Sequence, residues 1–242
     1  SLSSCIIAMN GIDDTLYHHD GTLANGISDG SYRYAGASEL VNNYVCFGST
    51  VTPCPTDNLY RIIGVFGDQV KLIKYDYATS ALLGTDGDYS ASTYYDENYI
   101  GSQTKSYLYY WNYNADKIIN DGMGSNTWST SLLNKINLNT NFIANIGEEW
   151  ANKIATTTWK VGGNNEDNLI NVVPSVAYQN EITNPDASNS TDNAIEYSTK
   201  IGLMYVSDYG YAANPSAWTT KLLSYDGTVE HGVEIKTINW LY

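Results

Sequence analysis

The sequence predicts an α+β fold with a mixed or antiparallel sheet, short helices and long loops. Three observations carry that prediction. Leu59 to Tyr75, LYRIIGVFGDQVKLIKY, holds two β-branched and aromatic runs meeting at Gly67-Asp68, a two-residue loop whose leading Gly suits a type II′ hairpin turn. Phe142, Ile146, Trp150 and Ile154 recur every four residues, the spacing of one helix face. Between such segments run stretches rich in Gly, Asn, Asp and Ser, the chemistry of turns and loops.

Taken in order, residues 1 to 30 read as an irregular N-terminal segment with one helical turn at its start, because GIDDTLYHHDGTLANGISDG is dense in Gly and Asp. Asp13, Asp14, His18, His19 and Asp20 raise the question of a metal. Adjacent His side chains point to opposite sides of a strand, however, and the spacing matches no zinc pattern, so a solvated loop is expected. Residues 31 to 242 are expected to form a single domain. SYRYAG and NNYVCFG read as two short strands, and Cys46 and Cys54 bracket the loop FGSTVTP between the second strand and the hairpin. Antiparallel strands would bring the two sulfurs together, so a disulfide is predicted, which for so short a ring is worth about 2 to 3 kcal/mol on the loop-entropy account. Cys5 is left as a free thiol or an intermolecular bridge.

In the hairpin the turn sets Val65 opposite Val70, Ile63 opposite Leu72 and Arg61 opposite Lys74. Both faces are apolar and need cover, and the Arg61 and Lys74 pair is unfavourable unless Asp57 or Asp76 sits between them. Ala78 to Asn126 turns loop-like. Asp86 and Asp88 in TDGDYS make a candidate calcium loop, since alternate acids separated by Gly direct oxygens to one cation, although the other ligands of an EF-hand are missing. From Tyr94 to Tyr113 the rings of Tyr94, Tyr95, Tyr99, Tyr107, Tyr109, Tyr110, Trp111 and Tyr113 supply more aromatic area than one loop ordinarily buries, and this stretch is the expected ligand surface.

A helix is expected from Trp128, capped by Ser129 or Thr130, with Leu132, Leu133 and Ile136 on one face and an interruption over Asn137 to Thr140. Gly147 should split the stripe that follows, and the segment is expected to cover one face of the hairpin. ATTTWKVGG reads as a strand, and Asn164 to Asn193 as a long polar loop with one apolar island, NVVPSVAYQ. KIGLMYVS (200 to 207) reads as a second core strand running into a short helix capped by Ser207 or Asp208. The closing EIKTINWLY reads as a strand or a short approach to one.

Composition narrows the function. The chain has 22 Tyr and 6 Trp but 3 Phe, and 26 acids against 12 Lys and Arg, for a net charge of −14. Such a charge argues against nucleic acid and anionic membranes as partners. Tyr, Asn and Ser are the palette of adaptable contact surfaces, and an acidic, Lys-poor, Tyr-rich surface is common on secreted proteins. No apolar run is long enough to span a bilayer, and the first residue, Ser1, suggests a processed or excised chain. HExxH, P-loop and dinucleotide fingerprints are all missing. Glu148 and Glu149 have the residue types of a glycosidase pair, but neighbouring acids on a helix face different ways, and a helix N-terminus attracts acids by its dipole alone.

The succession NNYVCFG, LYRIIGVF, VKLIKYDY, WSTSLLNKINLNTNF, EEWANKI, KIGLMYVSDYGYA and NWLY, covering most of residues 31 to 242, resembles a family of bacterial surface proteins. Its domains carry no assigned function and are related to the C-type-lectin-like and formylglycine-generating-enzyme fold. The resemblance implies a C-type-lectin-like domain displayed extracellularly at a bacterial surface, acting without catalysis as an adhesin or ligand-binding module for a glycan or protein. The alternative is a structural subunit of an extracellular filament or surface layer, with copies of itself as partner. Relatives continue past NWLY into a further strand region that in some is the ligand face. The resemblance ends at NWLY, so the expectation is either a truncated chain or a partner strand closing the sheet. The family's catalytic cysteine pair has no counterpart in Cys5, Cys46 and Cys54.

Overall fold

The computed structural model of the chain describes residues 1–84, 127–185, 195–225 and 233–241. In chain order these form α1 (Leu2–Ala8), β1 (Leu16–Asp20), β2 (Ser28–Tyr34), β3 (Tyr44–Cys46), β4 (Leu59–Phe66), β5 (Gln69–Lys74), α2 (Ser80–Leu83), α3 (Ile143–Asn145), α4 (Glu148–Ala151), β6 (Thr157–Lys160), α5 (Glu166–Ile170), α6 (Pro174–Tyr178), β7 (Glu196–Thr199), α7 (Val206–Tyr211) and α8 (Val233–Ile238). The fold is α+β, with antiparallel sheets and short helices. Two compact units emerge, residues 1–76, 164–185 and 203–242 in the first, and 77–163 and 186–202 in the second.

The first unit is built on β4. Strand β5 takes one of its edges, β3 and β2 share the other, and β1 pairs with β2. The hairpin turn is Gly67-Asp68 as the sequence predicts, with Phe66 opposite Gln69 and Gly67 at φ +64°, the left-handed value a type II′ turn requires of its first residue. Val65 faces Val70, but the register then shifts between Ile62 and Gly64. One extra residue, Ile63, makes a bulge, so that Leu72 faces Ile62, Ile73 faces Arg61, and Lys74 faces Tyr60. The predicted Arg61 and Lys74 clash does not form. Gly64 is where the bulge meets β2, since a Cβ there would lie 2.3 Å from the Tyr32 carbonyl oxygen.

Strand β4 is buried along nearly its whole length, as two apolar faces require. Cover within this unit comes from Ile6 of α1, Leu16 of β1, Val41, Ala212 and Trp240, which join Tyr34, Ile62, Ile63 and Val65 in one core. The first thirty residues are therefore more ordered than their Gly and Asp content suggests. Asp13 and Asp20 each accept from the backbone N–H and hydroxyl of a Thr two residues on, so acids that read as loop instead fasten the turns flanking β1.

Three later predictions are overturned. KIGLMYVS is not a strand. Pairing ends at Thr199 with β7, Leu203 and Met204 are 48% and 40% exposed, and helix α7 begins at Val206. The cause is capping, because Asp208 at the third helical position accepts from the backbone N–H of Tyr205, and Glu181 accepts from the N–H groups of Val206 and Ser207. Tyr205 is the N-cap, in place of the predicted Ser207 or Asp208. EIKTINWLY is helical through Ile238 and then turns to bury Trp240, whose indole N–H donates to the Tyr34 carbonyl. Residues 164–185, read as a loop, hold α5 and α6, started by the Asn165 cap and by Pro174 in the first turn.

In the second unit the predicted break at Asn137 to Thr140 is absent. Leu133–Phe142 is a continuous π-helix. Asn139 Nδ2 donates to the Asn134 carbonyl and Thr140 Oγ1 to that of Lys135, so the polar residues that signal a break along an α-helix instead bond five residues back, as a π-helix asks. Asn137 and Asn141 donate to the Leu83 carbonyl at the end of α2. Gly147, at φ +84°, divides α3 from α4 as predicted, and ATTTWKVGG contains β6, paired with β7.

Candidate polar cleft

Of the residues singled out in the sequence, Tyr94, Tyr95, Tyr99, Tyr107, Tyr109, Tyr110, Trp111, Tyr113, Asp86 and Asp88 lie outside the described residues. Cys46 and Cys54 form the predicted disulfide, with Cα atoms 5.7 Å apart, and Cys5 is a free, exposed thiol on α1. His18 and His19 point to opposite sides of β1. His18 stacks on Tyr32 with ring centroids 4.1 Å apart, while His19 is fully buried against Tyr211 and Trp218. Among the described residues no three His, Cys, Asp or Glu side chains converge on a metal-sized site. Glu149 pairs with Lys153 one helical turn on, and its side chain is 72% exposed.

The side chains that do converge were not singled out. Arg33, buried on β2, donates from Nη2 to Asp29 at 2.8 Å and from Nη1 to Asp208 at 3.2 Å, and its Nε donates to Ser31 Oγ. Lys71 Nζ of β5 reaches the other oxygen of Asp208 at 2.5 Å. Three rings, those of Phe66, Tyr178 and Tyr211, lie 4.6 to 5.8 Å from the Arg33 guanidinium carbon. Burial pushes the Lys71 pKa down against the pull of Asp208, and burial pushes that of Glu181 up against its backbone hydrogen bonds.

One end of this network opens into a cleft of about 390 Å³ lined by Gly26, Ile27, Ser28 and Asp29 on one wall and Ser175, Tyr178, Gln179 and Thr183 on the other. The Asp29 backbone is exposed, but its side chain is only 18% so. Burial acts to raise the Asp29 pKa, yet Arg33 and the hydrogen bonds from Ser31 outweigh it, and the net displacement is downward. Its carboxylate is thus ionised and fixed in place at neutral pH. The Tyr178 hydroxyl, bonded to Asp29, is pushed up to about 12, by burial first and by that carboxylate next, so it stays protonated. Beneath the first wall, the Ile27 N–H donates to His19 Nδ1 at 3.2 Å and holds the β1–β2 connection down. Burial, seconded by Arg33, lowers the His19 pKa to about 3, so the ring is neutral with its proton on Nε2.

The cleft thus offers a fixed carboxylate acceptor, an aromatic ring, four hydroxyls and a carboxamide, with no cation on its lining. That combination is chemically suited to a ligand rich in hydroxyl donors and short of negative charge. The chain has one sequence signal for it: of only two arginines, Arg33 lies near the end of β2, four residues after an acid. No family model, curated protein or solved structure matches the chain.

Proposed function

We propose that the chain is a non-enzymatic binding module of C-type-lectin-like type, displayed extracellularly at a bacterial surface, and that it takes a glycan in the Asp29–Tyr178 cleft. The observation that carries this reading is the preorganisation of Asp29. Its carboxylate is tied by Arg33 and Ser31 before any ligand arrives, so little ordering remains to oppose binding. Sugar hydroxyls would donate to it, and the half-buried Tyr178 ring offers a face for an apolar sugar edge. The disulfide fits an oxidising compartment. No helix of the described residues is long and apolar enough to cross a membrane. The reading also agrees with the acid excess, which disfavours anionic partners.

An array of immobilised bacterial and host glycans tests it with the wild-type protein and the Asp29→Asn variant. Binding to a defined set of neutral or amino sugars, weakened about tenfold or more in the variant, is expected from loss of one charge-assisted hydrogen bond. Binding that the variant retains in full would rule out this cleft.

A further inference from the structure

We propose that Lys71 and Asp208 condense to an intramolecular isopeptide bond that ties β5 to α7 within the first unit. The two residues are 137 positions apart, and their side chains meet as an ammonium against a carboxylate, Nζ to Oδ2 at 2.5 Å. Both are withdrawn from water, with Asp208 1% and Lys71 13% exposed at the side chain. A buried ion pair keeps the desolvation cost of two charges, and an amide between the same atoms carries none. Arg33 would not be stranded by that change, because Asp29 pairs with it at 2.8 Å, and although the Tyr205 N–H gives up its bond to Oδ2, Glu181 still caps α7 at Val206 and Ser207.

The step balances within the pair. The ammonium passes one proton to Asp208 Oδ2, leaving a neutral amine beside a carboxylic acid. The amine lone pair attacks Cγ, and the negative charge that develops on Oδ1 faces Arg33 Nη1, which already donates to that atom at 3.2 Å. The nitrogen then loses a second proton, the Cγ–Oδ2 bond breaks, and Oδ2 departs as water. A C–N bond forms, a C–O bond is lost, and no oxidant, reductant or cofactor takes part. The second proton passes from the nitrogen to Oδ2 within the tetrahedral adduct, so that the leaving oxygen carries both protons as water. In water such a condensation runs uphill. Here the reactants are held together, which raises their effective concentration by orders of magnitude, and the Tyr205 and Phe66 rings, 4.0 and 5.7 Å from Nζ, shield the product from hydrolysis.

Intact-mass measurement of the folded wild-type protein after denaturation decides the matter without depending on any variant's folding. The expected mass is one water below that of the sequence with its disulfide, and a protease digest should yield a branched peptide joining the segments around Lys71 and Asp208. Lys71→Arg should restore the full mass. A wild-type protein at full mass, with Lys71 recovered in a linear peptide and open to amine-reactive reagents, overturns the proposal, as does a water loss that maps to a linear peptide.

Discussion

His19 holds the β1–β2 connection through one acceptor nitrogen, and that makes it a test of what burial costs. Its ring is 0% exposed, with Arg33, Asp29, His18 and Asp20 as the charges acting on it. The folded-state pKa is about 3 and the unfolded value is 6.5, so between those values the unfolded chain binds the extra proton. The stabilisation is therefore complete above pH 6.5 and falls as the pH drops toward 3, by up to about 5 kcal/mol, because each tenfold difference in proton affinity between the two states is worth about 1.4 kcal/mol. Urea midpoints measured from pH 8 to pH 4 should fall more steeply for the wild type than for His19→Phe. Parallel profiles would show that His19 is not buried as a neutral ring. Arg61 makes a second residue-scale case. Among the described residues its guanidinium meets no carboxylate, and it donates to Asn43 Oδ1 and to the Val41 and Trp240 carbonyls, between the Tyr44 and Trp240 rings. Arg61→Met should cost about 3 kcal/mol in chemical denaturation, since three buried acceptors lose their donor while much of the packing survives.

At the scale of elements, two glycines of the hairpin separate two kinds of constraint. Gly67 has a left-handed φ in open space, so Gly67→Ala adds only backbone strain, about 1 kcal/mol. At Gly64 a Cβ would drive into the β2 backbone, so Gly64→Ala should cost clearly more and loosen the β2–β4 pairing. Thermal melts of both variants check the order, and a milder Gly64→Ala would contradict the bulge. The disulfide should contribute about 2 to 3 kcal/mol, measured as the stability lost in the Cys46→Ser, Cys54→Ser double variant. The hairpin turn, β2, β3, the disulfide and the Gly147 break were legible because each depends on neighbours in sequence. The hairpin bulge was not, since it answers to Tyr32 across the sheet. The short helix α7 was legible too, but its start at Val206 was not, because that start is fixed by Glu181, 25 residues upstream. The π-helix escaped for a related reason: the Asn and Thr side chains that complete it are the same signals that elsewhere end a helix.

For the molecule as a whole, the fold class followed from periodicity and turn chemistry, whereas the cleft came from no local pattern. Asp29 and Tyr178 lie 149 residues apart and meet only through Arg33 and the packing of α6 against α7. Fold and site therefore differ in how far apart their determinants lie in the chain. Ligand seated between the two walls of this cleft is read out by residue-resolved NMR during titration with the glycans selected on the array. Saturable amide shifts clustered at Gly26–Asp29 and Tyr178–Thr183, largely abolished in Asp29→Asn, are expected. Saturable shifts that leave both walls of the cleft unchanged, or that persist undiminished in the variant, would contradict binding there.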